Sequence, residues 1–414
     1  MKLYNTRTRA VEEVTLSDRD VTIYVCGITP YDTTHLGHAF TYISYDQLIR
    51  YLERKDIPVR YAQNVTDIDD DILKRAKETG EDWRELGNRW TDHFITDMIA
   101  LNVRPPDAYP RATDVITEII ESVEALLRAG VAYEKNGSVY FEVDRYPAFG
   151  QLSHLPRGDM LEVANERGNR PEDPNKRDPL DFVLWQAQAP GEPAWESPWG
   201  PGRPGWHIEC STMATKYLGE TVDFHGGGLD LCFPHHECEI AQVKPVREHD
   251  PYVRVWMHTA MVGYQGEKMS KSLGNLIMVR DLLKTYSPDV LRLYLGSHHY
   301  REPWSYDEAD LQAFQALADK LNRAASVQGG QGGAFDQTAV LRDFDAAMEN
   351  DLDTPGALRA LERLADEILN AANDQRDVKE AQDMLKRLGR VFGLTLTDGK
   401  PEDRVVSGWN AKKR

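Results

Sequence analysis

Residues 26–39 read CGITPYDTTHLGHA and follow directly on the alternating apolar run VTIYV at 21–25. A strand that ends in a Gly- and Pro-rich turn, then passes into AFTYISYDQLIRYLERKD with apolar residues at helical spacing, opens a nucleotide-binding α/β domain. This order constrains the chain more than any bulk property does, because such a loop brings backbone close to phosphate. Gly27 and Gly37 permit that approach, and His35 and His38 can donate to phosphate oxygens beside a helix N-terminus. The segments VRYAQNV and TDIDDDILKRAKETG repeat the strand, turn, helix alternation of a parallel sheet.

Far downstream, GEKMSKSLGN at 266–275 places two lysines between glycines. A flexible loop carrying the Lys268 and Lys271 ammonium groups suits a triphosphate. It can stabilise the charge on departing pyrophosphate and then open to release it. The run Lys268, Met269, Ser270, Lys271 is therefore the expected second half of an ATP site. Magnesium is expected to accompany the nucleotide.

With 414 residues the chain has room for two or three structural units. The pattern predicts a Rossmann-type catalytic domain over 1–280, interrupted by a loop-rich insertion at about 103–204. A helical region at 281–325 holds the lysine loop, and SVQGGQGGA at 326–334 is a flexible linker. A helical bundle is expected over 335–396 and a flexible tail over 397–414. No apolar run approaches the length of a membrane span and the first residues lack the apolar core of a signal peptide, so a cytoplasmic monomer is expected. The formal net charge of −18 argues against a broad nucleic-acid footprint, though it leaves room for a local basic face.

Four cysteines, Cys26, Cys210, Cys232 and Cys238, are too few for a disulfide framework in a chain this long. Three patches rich in metal ligands stand out: Cys26, Cys210 in GWHIECS, and GGGLDLCFPHHECEIAQ. On a helix His235 and Glu239 are four apart and share a face. Two thiolates, an imidazole and a carboxylate suit Zn²⁺, one per chain. Cys232 and His236 read as neighbours of that site, and Cys238 as the substitute for Glu239 if the helix has another phase.

HLGH and KMSKS resemble the HIGH and KMSKS signatures of class I aminoacyl-tRNA synthetases, which bind ATP between them and form an aminoacyl-adenylate. More closely, YVCG, HLGH, NVTDIDD, GRPGWHIECS, GGGLDLCFPHHECEIAQ and KMSKS occur in the order found in cysteinyl-tRNA synthetases, over residues 1 to about 396. The resemblance implies a zinc site at Cys26, Cys210, His235 and Glu239, and a cysteine pocket at Thr29, Thr66, Trp206, His225 and Asp230. It also implies a substrate thiolate bound to the zinc, with serine rejected because it lacks the soft sulfur.

The acceptor is less constrained. CGITPYD resembles the mycothiol-pathway ligases, shortened relatives that join cysteine to the amine of glucosaminyl-inositol, where synthetases usually read CGPTVYD. Only about 18 residues follow GRVFGL, too few for the anticodon-contacting module of full-length synthetases. The first expectation is therefore cysteinyl-adenylate formation followed by amide formation on that sugar amine, with Asp32 positioned to take its proton. The alternative is transfer to tRNA, toward which Glu239, EIAQ and KMSKSLGN lean.

Overall fold

The computed structural model describes residues 1–16, 20–32, 34–247, 251–269, 274–333 and 336–413, without the side chains of residues 268 and 398. The chain begins with a hairpin of β1 (Lys2–Asn5) and β2 (Ala10–Glu13). Then β3 (Val21–Ile28), α1 (Leu36–Arg54) and β4 (Val59–Val65) form a strand, helix, strand unit. Two helices follow, α2 (Asp70–Thr79) and α3 (Trp83–Ala100). Their starts are fixed chemically, because Asp69 and Asp82 accept hydrogen bonds from the first free amides of each helix.

The stretch read as loop-rich folds into α4 (Ile116–Arg128), β5 (Ala132–Lys135), β6 (Ser138–Phe141), α5 (Arg157–Glu166), β7 (Phe182–Ala187) and β8 (Gly202–Pro204). The four strands make an antiparallel sheet in chain order. Strands of three to six residues are too short to show a period against the intervening turns.

After this insertion, α6 (Trp206–Leu218), β9 (Val222–Gly228), α7 (Glu237–Val243) and β10 (Val253–Thr259) complete the central sheet. Its order is β10-β9-β3-β4 and every pairing is parallel. The chain leaves β3 toward β4 on one side and later returns to β9 on the other. The crevice at the carboxyl ends of β3 and β9 is thus the topological switch point where ligands bind in open α/β sheets.

Beyond the sheet lie β11 (Val262–Tyr264), β12 (Glu267–Lys268), α8 (Val279–Leu282), α9 (Pro288–Gly296), β13 (Trp304–Tyr306) and α10 (Glu308–Ser326). The last unit holds α11 (Thr338–Met348), α12 (Thr354–Asn373), α13 (Lys379–Gly389) and α14 (Asp403–Asn410). One contiguous core joins it to the α1 side of the sheet. A buried charge network crosses the same seam: Asp46 bonds both Arg50 and Arg292, and Arg292 also donates to the Leu101 carbonyl at 2.7 Å.

Two expectations are corrected here. The 326–334 segment is not a free linker where it is described, because Gly330 donates to the Arg376 carbonyl at 2.8 Å and Gly332 to that of Gln375 at 3.0 Å. A side chain on Gly330 would lie 2.0 Å from the Gln375 oxygen, so the glycine serves close packing and not looseness. Nor is the tail flexible: Trp409 of α14 is fully buried between Phe94 and Tyr109 and donates to the Val103 carbonyl at 2.8 Å. Among the described residues no helix is long and apolar enough to cross a membrane.

Candidate active site and metal cluster

A cleft of about 1190 Å³ opens at the switch point, between the carboxyl ends of the sheet and the insertion. Gly27, Thr29, Asp32, His35, Gly37 and His38 line its floor. His35 is the N-cap of α1, its Nδ1 accepting from the amides of Gly37 at 3.1 Å and His38 at 3.4 Å. The His35 and His38 rings stack 3.8 Å apart. The N-terminus of this 19-residue helix lies at the cleft, where the helix dipole favours an anion, although its first three amides are already bonded to Ile277 and His35. Gly27 has a further reason to be glycine, since a Cβ there would lie 1.6 Å from the Asn64 carbonyl of the neighbouring strand.

The lysine-loop region comes to the same place. Leu36 donates to the Ile277 carbonyl at 2.8 Å and Val279 to that of Thr34 at 3.2 Å, an antiparallel bridge centred on His35 and Met278. Upstream of the loop, Met269 is buried, borders the cleft and donates to the Val262 carbonyl. Lys268 lies in β12 by its backbone, while its side chain and all of Ser270 and Lys271 fall outside the described residues.

Beneath the nucleotide side, Cys26 at the end of β3, Cys210 on α6, His235 before α7 and Glu239 on α7 converge with donor atoms within 4.8 Å of one another. His235 Nε2 is 3.2 Å from Glu239 Oε1, and Cys26 Sγ is 3.7 Å from the same oxygen. Cys238 is not among these clustered donors and borders the cleft. Above the donors sits a cavity of about 30 Å³, bounded by Thr29, Thr66, Trp206, Cys210 and His235. A water needs roughly 10–15 Å³ on this measure, so the space admits a group about the size of a thiol and its methylene. Asp230 stands at the cleft wall, paired with Arg167 of the insertion at 3.2 Å. His225 borders neither space and packs below, its Nε2 3.5 Å from Glu239 Oε2.

The electrostatics favour a cation here. Burial raises the Cys26 thiol and the Glu239 carboxyl, so both hold their protons unless positive charge joins them. Burial pushes His207 and His225 down to about 3, and His235 well below its ordinary value, leaving neutral rings able to ligate. His207 Nδ1 lies 2.9 Å from His235 Nδ1, which fixes the His235 ring with Nε2 turned toward Glu239. These residues could hold a metal ion.

Several members of the site were not singled out in the sequence: Asn64 within NVTDIDD, and Tyr252 and His258 outside the motifs. Asn64 donates to the Thr66 hydroxyl at 3.2 Å and accepts from the Gly27 amide at 2.8 Å, tying the cavity wall to β3. Tyr252 donates to Glu239 at 3.3 Å, and His258 lies 2.7 Å from His236. A histidine inside WMHT, flanked by apolar residues, is the one sequence signal that marks His258 as a polar group sent inward.

Residues 12–316 match the family model described as tRNA synthetases class I (C) catalytic domain, and residues 343–397 match the DALR domain. A protein of Pyrococcus furiosus is 45% identical over 416 residues, covering 95% of this chain and 86% of that protein. One of Thermococcus gammatolerans is 44% identical over 415 residues, with the same coverage, and one of Dehalococcoides mccartyi is 43% identical over 406. Each carries the name Cysteine--tRNA ligase. In fold, the chain resembles the Mycobacterium tuberculosis methionyl-tRNA synthetase in complex with methionyl-adenylate, with a TM-score of 0.66 at 17% identity over 93% of this chain and 92% of that one.

The expected transfer to a sugar amine is overturned by these relatives and by the DALR match. It leaned on the end of the chain and on the ITPYD loop. A chain end carries no chemistry, and the loop's Ile28, Thr29, Tyr31 and Asp32 line the cleft at the switch point, a position that does not tell one acceptor from another. By the family model over most of its length and by relatives of 43–45% identity, the chain belongs to the cysteinyl-tRNA synthetase family, a class I catalytic domain followed by a DALR domain.

Proposed function

We propose that this chain is a cytoplasmic cysteine–tRNA ligase: it activates L-cysteine with ATP to cysteinyl-adenylate and passes the cysteinyl group to tRNA. The observation that carries the reading is the thiol-sized cavity bordered by Cys26, Cys210 and His235, three of the four clustered donors. Sulfur, nitrogen and carboxylate donors in a buried setting fit zinc, which when bound supplies a soft centre that prefers a substrate thiolate to a hydroxyl.

Around that centre, Thr29, Thr66 and Trp206 close the cavity on the side chain of cysteine, and Asp230 offers a carboxylate to its ammonium group. The substrate carboxylate is then the nucleophile and needs no general base. It attacks the α-phosphate while the α1 N-terminus, with His35 and His38, holds the phosphate oxygens. Lys268 and Lys271, with Met269 and Ser270 between them, close on the departing pyrophosphate, and magnesium travels with the nucleotide. In the second step a terminal hydroxyl of tRNA attacks the adenylate carbonyl and AMP leaves. The reading is supported by the names of the relatives and by the DALR domain.

The test is pyrophosphate exchange into ATP, followed by charging of tRNA. Exchange is expected with cysteine and no tRNA, with serine disfavoured by on the order of 10⁴. Exchange that ignores cysteine, or adenylate that never reaches tRNA, would reject the proposal.

A further inference from the structure

The insertion reaches back over the cleft through one short segment. Helix α5 ends at Glu166, and the chain turns at Gly168, whose φ of +90° is a conformation that glycine adopts without strain. The segment is pinned on both sides. Within the insertion, Asn169 donates to the Pro179 carbonyl at 3.1 Å and accepts from Lys176. Toward the catalytic domain, Arg170 pairs at 3.0 Å with Asp70, the first residue of α2, and Arg203 of β8 bonds the other oxygen of Asp70. Arg167 is thereby held at the cleft, where its Nη1 donates to Asp230 Oδ2 at 3.2 Å.

This pair differs from a structural ion pair in two respects. Both side chains stay partly open to water, 28% for Arg167 and 30% for Asp230, so their mutual attraction is screened and adds little by itself. Among the described residues, moreover, Nη1 is the only guanidinium nitrogen of Arg167 with a hydrogen-bond partner, and Nε is buried without one. A guanidinium is a planar fork suited to gripping a carboxylate through two donors. Turning this fork to a carboxylate would pair a donor that is otherwise unmet.

The position of the pair gives it a part of the substrate to meet. The thiol-sized cavity and the cleft share Cys26, Gly27, Thr29, Trp206 and Leu231, and Leu231 follows Asp230 in the chain. A cysteine with its thiol in the small cavity has its α-carbon at that shared mouth, carrying one positive and one negative group. Asp230 and Arg167 present the opposite charges there, one hydrogen bond apart.

We propose that Arg167 is a substrate-binding residue of the insertion: it receives the α-carboxylate of cysteine while Asp230 receives the ammonium, so that the pair reads the zwitterion and aims the attacking oxygen at the nucleotide. This rests on reading the chain as a cysteine-activating ligase. Each partner balances the other until the charges of the substrate replace their bond. Holding one carboxylate oxygen leaves the second for attack on the α-phosphate, and orientation is what Arg167 contributes to the reaction.

Three ligands separate the two ends of the substrate. Cysteine carries thiol, ammonium and carboxylate; cysteamine lacks the carboxylate, and 3-mercaptopropionate lacks the ammonium. Each is titrated by calorimetry into the full chain with zinc added, and into its Arg167→Ala and Asp230→Asn variants. Arg167→Ala is expected to bind cysteine and 3-mercaptopropionate ~10–100-fold more weakly and cysteamine within ~3-fold of wild type. Asp230→Asn is expected to weaken cysteine and cysteamine and to spare 3-mercaptopropionate. In pyrophosphate exchange, Arg167→Ala should raise the KM for cysteine by a similar factor and leave that for ATP unchanged. Arg167→Lys keeps the charge without the fork and should recover part of the affinity for the two carboxylate ligands. Should the alanine variant lose its circular dichroism signal, the lysine variant decides, its loss again being confined to those two ligands. Equal weakening of cysteine and cysteamine would make Arg167 a prop for Asp230, and unchanged cysteine binding would remove it from the site; both results overturn the proposal. A wild-type chain without cysteine-dependent exchange would instead reject the ligase reading, and the titrations would still be read.

Discussion

The amide of Leu36 donates to the carbonyl of Ile277 across 2.8 Å, so the first residue of the helix proposed to receive phosphate is stitched to the segment leaving the lysine loop. Residues more than two hundred positions apart in sequence thus share one short antiparallel bridge. The partner bond, from the Val279 amide to Thr34, can be removed selectively by Val279→Pro. Val279 is the first residue of α8, where proline is tolerated, and Met278 before it is already extended (φ −88°, ψ 131°) as a pre-proline residue should be. Losing one such bond costs about 0.5–1.5 kcal/mol. The KM for ATP in pyrophosphate exchange is expected to rise roughly 2–10-fold, with metal content and the KM for cysteine unchanged. Equal rises in both KM values would show that the bridge does not act on the nucleotide side.

His35 has two separable duties. As N-cap it holds the Gly37 and His38 amides, and as a cleft residue it is placed to meet phosphate. Asparagine caps well but lacks the imidazole reach, whereas alanine forfeits the cap at a cost of about 0.5–2 kcal/mol. His35→Asn is expected to keep the melting temperature of the wild type and lose exchange by on the order of a hundredfold. His35→Ala is expected to lose both. Full exchange in the asparagine variant would reduce His35 to a cap.

Much of this was legible in the sequence where one residue type has one plausible use. Cys26 ends a strand and opens a glycine turn, and His235 and Glu239 stand one helical turn apart, so these could be read as candidate donors from the residues, while the set of four with Cys210 came from the resemblance. The placing of His225 and His258 could not be read, because each is a single histidine in a strand and only the assembled sheet brings His225 beside Cys26 and His258 beside His236. The insertion hid its sheet in strands too short to show a period. The tail looked disordered by composition, yet Val405 and Trp409 supply the apolar surface that fastens α14 to the core.

That fastening has an electrostatic part with a predictable pH window. Burial works to raise the Glu402 carboxyl, but Arg50 at 2.6 Å and Arg404 at 2.7 Å hold it down to about 2. A depressed carboxylate stabilises the fold fully above its unfolded value of about 4.3, and the contribution is lost as pH falls toward the folded value. Glu402→Gln should therefore lower stability by about 1–3 kcal/mol at neutral pH and by almost nothing near pH 2. Urea titrations of both proteins across this range read the difference. A gap that persists undiminished in acid would mean that shape, and not charge, is what Glu402 contributes.

Glu239 belongs, with Cys26, to both buried groups of clustered donor atoms and is the carboxylate in each. Its Oε1 faces His235 at 3.2 Å and its Oε2 accepts from Tyr252 at 3.3 Å, so a glutamine of nearly the same shape would still fill the space. The amide keeps one acceptor oxygen but brings no charge to a buried site, where burial already resists the ionised form. Glu239→Gln is expected to bind zinc at least ~10–100-fold more weakly while retaining the fold, because a neutral side chain there leaves only the thiolates to balance the ion. Cys210→Ser keeps the shape of the side chain and removes a soft donor that borders the thiol-sized cavity. Its zinc content and its cysteine-dependent exchange should both fall. Elemental analysis after dialysis, paired with exchange assays, reads both variants. Equal retention of zinc by Glu239→Gln and the wild type would show that the carboxylate is a neighbour of the metal centre and not one of its ligands.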